Sequence, residues 1–452
     1  MLKGMSVAAT TLGCKVNQAE TDSMLDMLKA AGANIVEFDE KADIYIVNTC
    51  SVTNIADKKS RQMLHRARKM NPDGIVIAAG CYVQSAREIL EQDEAIDIVI
   101  SNNKKKSITE IVNDYINVRN NEKNAPGKDH EAMEYFVDIS RETEYEEMGG
   151  HVPVGHTRAY VKIQDGCNQF CSYCIIPYVR GRIRSRSQEA ILAEVSELAE
   201  AGIKEVVLTG IHISSYGKDK NNEGALIELI EAISKIKGIK RIRLGSLEPG
   251  IITEEFVERI SSNSKVCPHF HLSLQSGCDS VLKRMNRKYT CKQYFEKCDM
   301  LRKAYKSPAL TTDVIVGFPG ETEEEFAETV RYLTELNLYE MHIFKYSPRK
   351  GTVAAAMKEQ VAPEIKNERS DVLLKLAHDN KTAYEAQFEG CELEVLVEEV
   401  VKKNNKTYLR GHTERYMDIL IDVGDISMPE SFVNSFVYVT YTQNGGNLTL
   451  LL

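Results

Sequence analysis

Three cysteines, Cys167, Cys171 and Cys174, are separated by three and then two residues in the stretch Gln164-Asp165-Gly166-Cys167-Asn168-Gln169-Phe170-Cys171-Ser172-Tyr173-Cys174. Three thiolates in so short a loop can hold three irons of a cubane 4Fe-4S cluster, because soft sulfur suits iron–sulfur binding. A cluster with four protein thiolates shuttles electrons; one with three keeps an iron open to chelate a small molecule. The competing readings are a zinc site and three ordinary buried thiols. Zinc usually needs a second Cys/His pair at ribbon spacing, and none follows closely.

A second trio is spread over the first hundred residues. The apolar runs 6–13, 43–49 and 74–80 lead directly to Cys14, Cys50 and Cys81. Each run has strand character and is followed by a helical pattern. Asn17 with Glu20 reads as a capping box opening the first helix, which Gly32 stops. Alternating β and α elements imply an open parallel sheet with helices on both faces. Loops leaving the carboxyl ends of such strands converge on one edge. Three cysteines in equivalent positions would therefore meet in space, which packing alone explains poorly, and a second cluster is the expectation.

The elements that carry the first trio follow a polar, charge-rich stretch, 118–152, read as a linker. A strand at 157–163 delivers the cysteine loop. Five more strand candidates follow at βα spacing, at 205–210, 241–246, 270–274, 310–317 and 339–346. Ile191, Leu192, Val195, Leu198 and Ala199 form a helical stripe between the first two of these six strands, and Thr322 with Glu325 is a second capping-box candidate. Six βα units make a partial TIM-like barrel, with its site at the carboxyl ends of the strands. The polar and glycine residues there are Thr209 and Gly210 (with His212), Ser246 and Glu248, Ser273 and Gln275, and Gly317. They are the candidates to bind a small ligand, although His212 alone is more often a satisfied loop residue.

After about residue 380 the runs 392–398, 406–411, 417–421 and 435–440 read as a small antiparallel β-barrel. The expected organisation is 1–117, an N-terminal α/β domain; 118–152, a linker; 153–379, the partial barrel; and 380–452, the β-barrel. Arg180, Arg182, Arg184 and Arg186 follow the cysteine loop, and their forks suit phosphate or carboxylate. Lys104-Lys105-Lys106 reads as a solvated surface run, and Cys267, Cys278, Cys291, Cys298 and Cys391 as ordinary thiols.

A net charge of −9 argues against indiscriminate polyanion binding, so any nucleic acid would be met by local basic surface. Eleven cysteines without paired spacing suggest metal and a reducing compartment rather than a disulfide frame. No apolar run has membrane-spanning length and Met1-Leu2-Lys3-Gly4-Met5 lacks a signal-peptide profile, so a cytoplasmic chain with no membrane contact is expected.

Along nearly its whole length the chain resembles the radical S-adenosylmethionine methylthiotransferases. That resemblance implies an auxiliary 4Fe-4S cluster on Cys14, Cys50 and Cys81, a radical-generating 4Fe-4S cluster on Cys167, Cys171 and Cys174, and a C-terminal TRAM domain. S-adenosylmethionine becomes the expected ligand of Thr209, Gly210, Ser246, Glu248, Ser273, Gln275 and Gly317. The family transfers a methylthio group to an unactivated carbon, with one S-adenosylmethionine as methyl donor and another as radical source. The phrases Thr11-Leu12-Gly13-Cys14-Lys15-Val16-Asn17-Gln18, Val161-Lys162-Ile163-Gln164-Asp165-Gly166-Cys167 and Leu208-Thr209-Gly210-Ile211-His212 are most similar to the subfamily that modifies C2 of N6-threonylcarbamoyladenosine at position 37 of tRNA. The phrases of the subfamilies acting on isopentenyladenosine or on a ribosomal protein side chain are absent, but those substrates remain alternatives. An iron–sulfur electron-transfer protein is the alternative of a different class. The implied partners are the tRNA anticodon loop, gripped by the TRAM-like module and Arg180–Arg186, an electron donor such as a flavodoxin or ferredoxin, and a sulfur source.

Overall fold

The computed structural model describes residues 2–122, 133–149, 157–403, 406–424, 428–443 and 445–449. Strands β1 (Ser6–Thr11), β2 (Asn34–Ile35), β3 (Ile44–Thr49), β4 (Ile75–Gly80), β5 (Ile98–Ile100) and β6 (Met133–Tyr135) form one parallel sheet in the order β2-β1-β3-β4-β5-β6. Alternate side chains divide between two cores. Ile44, Ile46, Ile75 and Ile77 pack on Met24 and Leu28 of helix α1 (Lys15–Ala30). Tyr45, Val47, Val76 and Ala78 pack on Leu64 and Ala67 of helix α2 (Asn54–Met70). Central strands covered on both faces read as continuous apolar runs, which is why the sequence announces them so clearly.

Two local expectations are corrected. Helix α1 begins at Lys15 with Cys14 at its N-cap, so Asn17 and Glu20 lie inside the helix and turn to buried partners instead of capping it. Within the stretch read as a linker, the Ile108–Glu122 helix continues through the first residues and β6 adds the last strand of the sheet. Residues 123–132 and 150–156, with the expected boundary at 153, lie outside the described residues.

The middle of the chain forms an arc of six parallel strands: β7 (Arg158–Asp165), β9 (Glu205–Gly210), β10 (Arg241–Leu244), β11 (His269–His271), β12 (Ala309–Val316) and β13 (Glu340–Lys345). Single bridges between Ile242 and Val266 and between Leu247 and Leu272 join the two halves. A short strand, β8 (Arg184–Ser185), pairs antiparallel with β7. Ile191, Val195 and Leu198 bury the expected stripe in the core outside the arc, and the Thr322–Glu325 capping box is present. The arc is the partial barrel that the βα spacing predicts.

Beyond the Pro363–Ala386 helix, β14 (Glu392–Lys403), β15 (Lys406–Thr413), β16 (Asp418–Asp422), β17 (Phe436–Thr442) and β18 (Gly445–Thr449) close into a barrel. This barrel sits beneath the amino ends of the central strands. Arg241 and Arg243 donate to the carbonyls of His412, Thr413 and Glu414, and Arg158 pairs with Glu398 at 3.0 Å. Tyr416 stacks on His412 and lies against the guanidinium groups of Arg158 and Arg243. The opposite, carboxyl end of the arc is left to the cysteines. Among the described residues no helix is long and apolar enough to cross a membrane.

Candidate active site

Strands β1, β3 and β4 are neighbours in register, Thr11 beside Asn48 and Thr49 beside Gly80. Their carboxyl ends therefore deliver three cysteines to one edge. Cys14 caps α1, Cys50 follows β3, and Cys81 opens helix α3 (Cys81–Ser85). The fit is tight enough to demand glycine. Gly13 has φ +106°, and a Cβ there would stand 2.8 Å from the Cys50 sulfur. Asn17 laces the loops together, donating 2.9 Å hydrogen bonds to the carbonyls of both Leu12 and Thr49.

The second trio is held just as firmly. Gly166 has φ +72°, and a Cβ would lie 1.8 Å from the Arg182 carbonyl oxygen. The Cys167 amide donates to the Gly181 carbonyl at 3.0 Å, and Asn286 donates to the carbonyl of Phe170, itself at φ +49°. Arg287 donates to the Cys171 sulfur at 3.2 Å and to the Ser273 carbonyl, and lies 3.5 Å from Glu248. Burial pushes the thiols of Cys50 and Cys167 up to about 11 and that of Cys174 up to about 12, with the neighbouring cysteines of each trio pushing the same way. Bare thiols here stay protonated at neutral pH, and metal centres bind such groups by displacing the proton.

The surroundings are cationic in balance. Lys105, Lys162, Arg180 and Arg184 surround the carboxylates of Glu20 and Asp165 in one buried network. Burial pushes the nearby Glu146 carboxyl up, toward its neutral form. An anionic group held by three thiolates beside this network would meet a surplus of positive charge. The donor set and the field both suit a three-thiolate iron–sulfur cluster at each trio.

Cys174 lines a cavity that the loop after Cys50 also reaches. Its wall includes Val52 and Thr53, just beyond Cys50, together with Cys174, Ile175, Gln275 and Asp313. Cys81 packs directly on Ile175 and Val179, so one turn of chain separates the trios. Arg349, from the loop after β13, clamps this junction by donating to Ser51, Asn54 and Asp57, each at 2.7 Å.

The expected ligand residues divide. Gln275 lines the cavity and holds φ +77°, a strained value for a non-glycine residue that is characteristic of functional sites. Glu248 and Ser273 are joined to Cys171 through Arg287. Burial pushes Glu248 up, but its 2.6 Å contact with His212 and the Arg287 charge outweigh this and hold it below the usual carboxylate range. His212 is the satisfied loop residue expected, bonded to Gln164, Ser215 and Glu248. Thr209 is buried and Gly210 closes β9 against the Gln164 carbonyl, while Ser246 is exposed. Gly317 is corrected: its amide donates to Glu321, and Lys366 fills the space where a Cβ would stand, so it does not face a ligand.

The arginine stretch is corrected as well. Arg180, Arg184 and Arg186 are 0%, 1% and 4% exposed, and buried carboxylates or carbonyls take their forks. They cannot reach an RNA backbone. Arg182 alone is exposed, its guanidinium over the Phe170 ring. Lys105, expected on the surface, is fully buried against Glu20. Spacing gave no warning of Glu20, Lys162, Asp165, Arg287 or Arg349, because each acts through a partner distant in sequence. His271, Asp313 and His342, from three adjacent strands, bring their polar atoms within 4.8 Å of one another, with the two imidazole rings stacked at 5.8 Å.

Residues 161–333 match the family described as the Radical SAM superfamily, and residues 6–101 match Uncharacterized protein family UPF0004. The threonylcarbamoyladenosine tRNA methylthiotransferase MtaB of Bacillus subtilis (strain 168) is 39% identical over 92% of this chain and 90% of that protein. Its namesake from Aquifex aeolicus is 37% identical over 92% and 98%. The tRNA-2-methylthio-N(6)-dimethylallyladenosine synthase of Thermoanaerobacter pseudethanolicus is 35% identical over 96% and 90%. Among solved structures, the radical S-adenosylmethionine methyltransferase TsrM of Kitasatospora setae superposes with a TM-score of 0.56 at 15% identity, covering 76% of this chain and 77% of that one. That likeness is one of fold.

Proposed function

The chain belongs to the tRNA methylthiotransferases of the radical S-adenosylmethionine superfamily, and we propose that its substrate within that family is N6-threonylcarbamoyladenosine at position 37. Members of the family use S-adenosylmethionine and two 4Fe-4S clusters. In this reading Cys14, Cys50 and Cys81 hold the auxiliary cluster and Cys167, Cys171 and Cys174 the radical one. When bound, these groups supply the electron, the hydrogen-abstracting radical and the sulfur. The chain's own residues do the rest. Arg287 fixes Cys171 and, through Glu248 and the Ser273 carbonyl, the strand ends around it. Ile175 and Val179 keep the wall between the trios apolar. Gln275 and Thr53 present polar groups to whatever enters.

The observation that carries the reading is a cavity lined by Cys174 of one trio and by Val52 and Thr53 of the loop that follows Cys50 of the other. Among the mostly apolar side chains of its wall, Thr53, Gln275 and Lys345 offer the hydrogen bonds and charge that a substituent bearing hydroxyl, urea and carboxylate groups would use. The names of relatives lean the same way: at 37–39% identity three are of the threonylcarbamoyl type and one is a dimethylallyladenosine synthase. Arg182, the exposed residue of the arginine stretch, is proposed as its RNA contact. The β-barrel, beneath the far end of the arc, braces the central strands and is proposed to extend the RNA-binding surface. Electron donor and sulfur source stay as the resemblance implies.

The test is mass spectrometry of tRNA nucleosides from cells lacking the protein. The 2-methylthio derivative of threonylcarbamoyladenosine should vanish and its unthiolated precursor accumulate. Loss of the isopentenyl derivative instead would contradict the assignment.

A further inference from the structure

The buried Arg180, set aside above as an RNA contact, has another task. Its Nε donates to the Cys81 sulfur at 3.2 Å and its Nη2 to the Asn17 side-chain oxygen at 2.5 Å. Asn17 in turn bonds the chain just before Cys14 and Cys50, through Leu12 and Thr49, and its oxygen lies 3.7 Å from the Cys14 sulfur. Arg180 and Asn17 together therefore touch all three cysteine loops of the N-terminal trio. Arg180 reaches them from the loop that carries the other trio, six positions beyond Cys174. An interface salt bridge would need only Glu20 and Asp165, both already bonded to this guanidinium. The N–H aimed at sulfur is additional.

We infer that Arg180 is a positioning residue that fixes the Cys81 sulfur and raises the reduction potential of the cluster held by that trio. The inference rests on the assignment of Cys14, Cys50 and Cys81 as cluster ligands. Hydrogen bonds to ligand sulfur and local positive charge both favour the more negative, reduced state of an iron–sulfur cluster. Glu20, beside the same guanidinium, acts with the opposite sign.

The opposing signs make the test. Full-length protein with both clusters reconstituted anaerobically is titrated potentiometrically with paramagnetic resonance detection, as wild type, Arg180→Lys, Arg180→Met and Glu20→Gln. Iron and sulfide content establish that the clusters are present. The auxiliary potential should move negative in both Arg180 variants, further in Arg180→Met, and positive in Glu20→Gln. The radical-site potential should stay nearly fixed and serves as internal reference. If Arg180→Met fails to assemble its cluster, Arg180→Lys and Glu20→Gln still give opposite shifts. Shifts of one sign in all variants, or none, would reduce Arg180 to interface packing and overturn the inference. A wild-type protein with one cluster would overturn the ligand assignment itself, and is distinguished by the iron content.

Discussion

Cys174→Ala is expected to abolish cleavage of S-adenosylmethionine to 5′-deoxyadenosine, whereas Cys50→Ala should leave cleavage detectable while no methylthiolated tRNA forms. The contrast follows from the geometry. Cys174 belongs to the loop at the carboxyl end of the partial barrel, where Gln275 and the Arg287–Glu248 pair surround it. Cys50 follows a strand of the other sheet, and Val52 and Thr53 of the loop after it line the same cavity as Cys174. Either loss removes one of three thiolates and should fall to background rather than to a fraction, since a two-thiolate remnant cannot retain a cubane. Chromatography of deoxyadenosine and mass spectrometry of tRNA nucleosides, run on the same reaction, read both arms. Equal loss of cleavage in both variants, with folding intact, would refute the division between the trios.

Glu20→Ala should be among the most damaging substitutions outside the cysteines. Glu20 is 2% exposed and is bonded to Lys105, Lys162 and Arg180, three cations from separate segments of both domains. Removing it leaves Lys162 and Arg180 to share Asp165 and takes from Lys105 the carboxylate it is bonded to. Stranding buried charge in this way costs about 3–5 kcal/mol, measurable as a fall in the urea midpoint. The pH dependence has a definite sign. Burial pushes both Glu20 and Asp165 up, but Arg180 and Lys105 for the first, and Lys162 and Arg180 for the second, outweigh it and hold both well below the usual carboxylate range. Their contribution is complete above the unfolded carboxylate pKa of about 4 and is lost as pH falls toward the depressed folded values. Wild-type stability should therefore drop steeply only in acid, and Glu20→Ala should flatten that acid limb. An unchanged acid limb would show that the network does not bind the two domains.

Much of the architecture was legible because it is written in local pattern. The runs before Cys50 and Cys81 are strands buried throughout, the run before Cys14 buries Val7 and Ala8 on opposite faces, and the βα spacing set the six-stranded arc. The cysteine trios were legible for the same reason: one is contiguous, and the other sits at equivalent strand ends. The arginine stretch misled because four cations in seven residues look alike whether they face solvent or the interior. Their destinations depend on Glu20, Glu147, Glu194 and Asp165, up to 160 positions away for Arg180 and Glu20. Asn17 and Glu20 matched a capping box in spacing, yet tertiary partners claimed both side chains. Strand β18 was missed because its GGNLT sequence offers little of the β-branched alternation that marks a strand. Gly317 failed differently: a glycine at a strand end admits a ligand or a neighbouring side chain equally well, and here Lys366 is the neighbour.

The most direct measurement is the iron and sulfide content of anaerobically reconstituted protein, with its Mössbauer and paramagnetic resonance spectra before and after S-adenosylmethionine is added. Two cubane clusters per chain should be found, falling to one when either trio is replaced by alanine. Only the cluster lost with Cys167, Cys171 and Cys174 should change its spectrum with the cofactor. A single cluster in the wild type, or spectra indifferent to S-adenosylmethionine, would contradict the two facing sites on which the account stands.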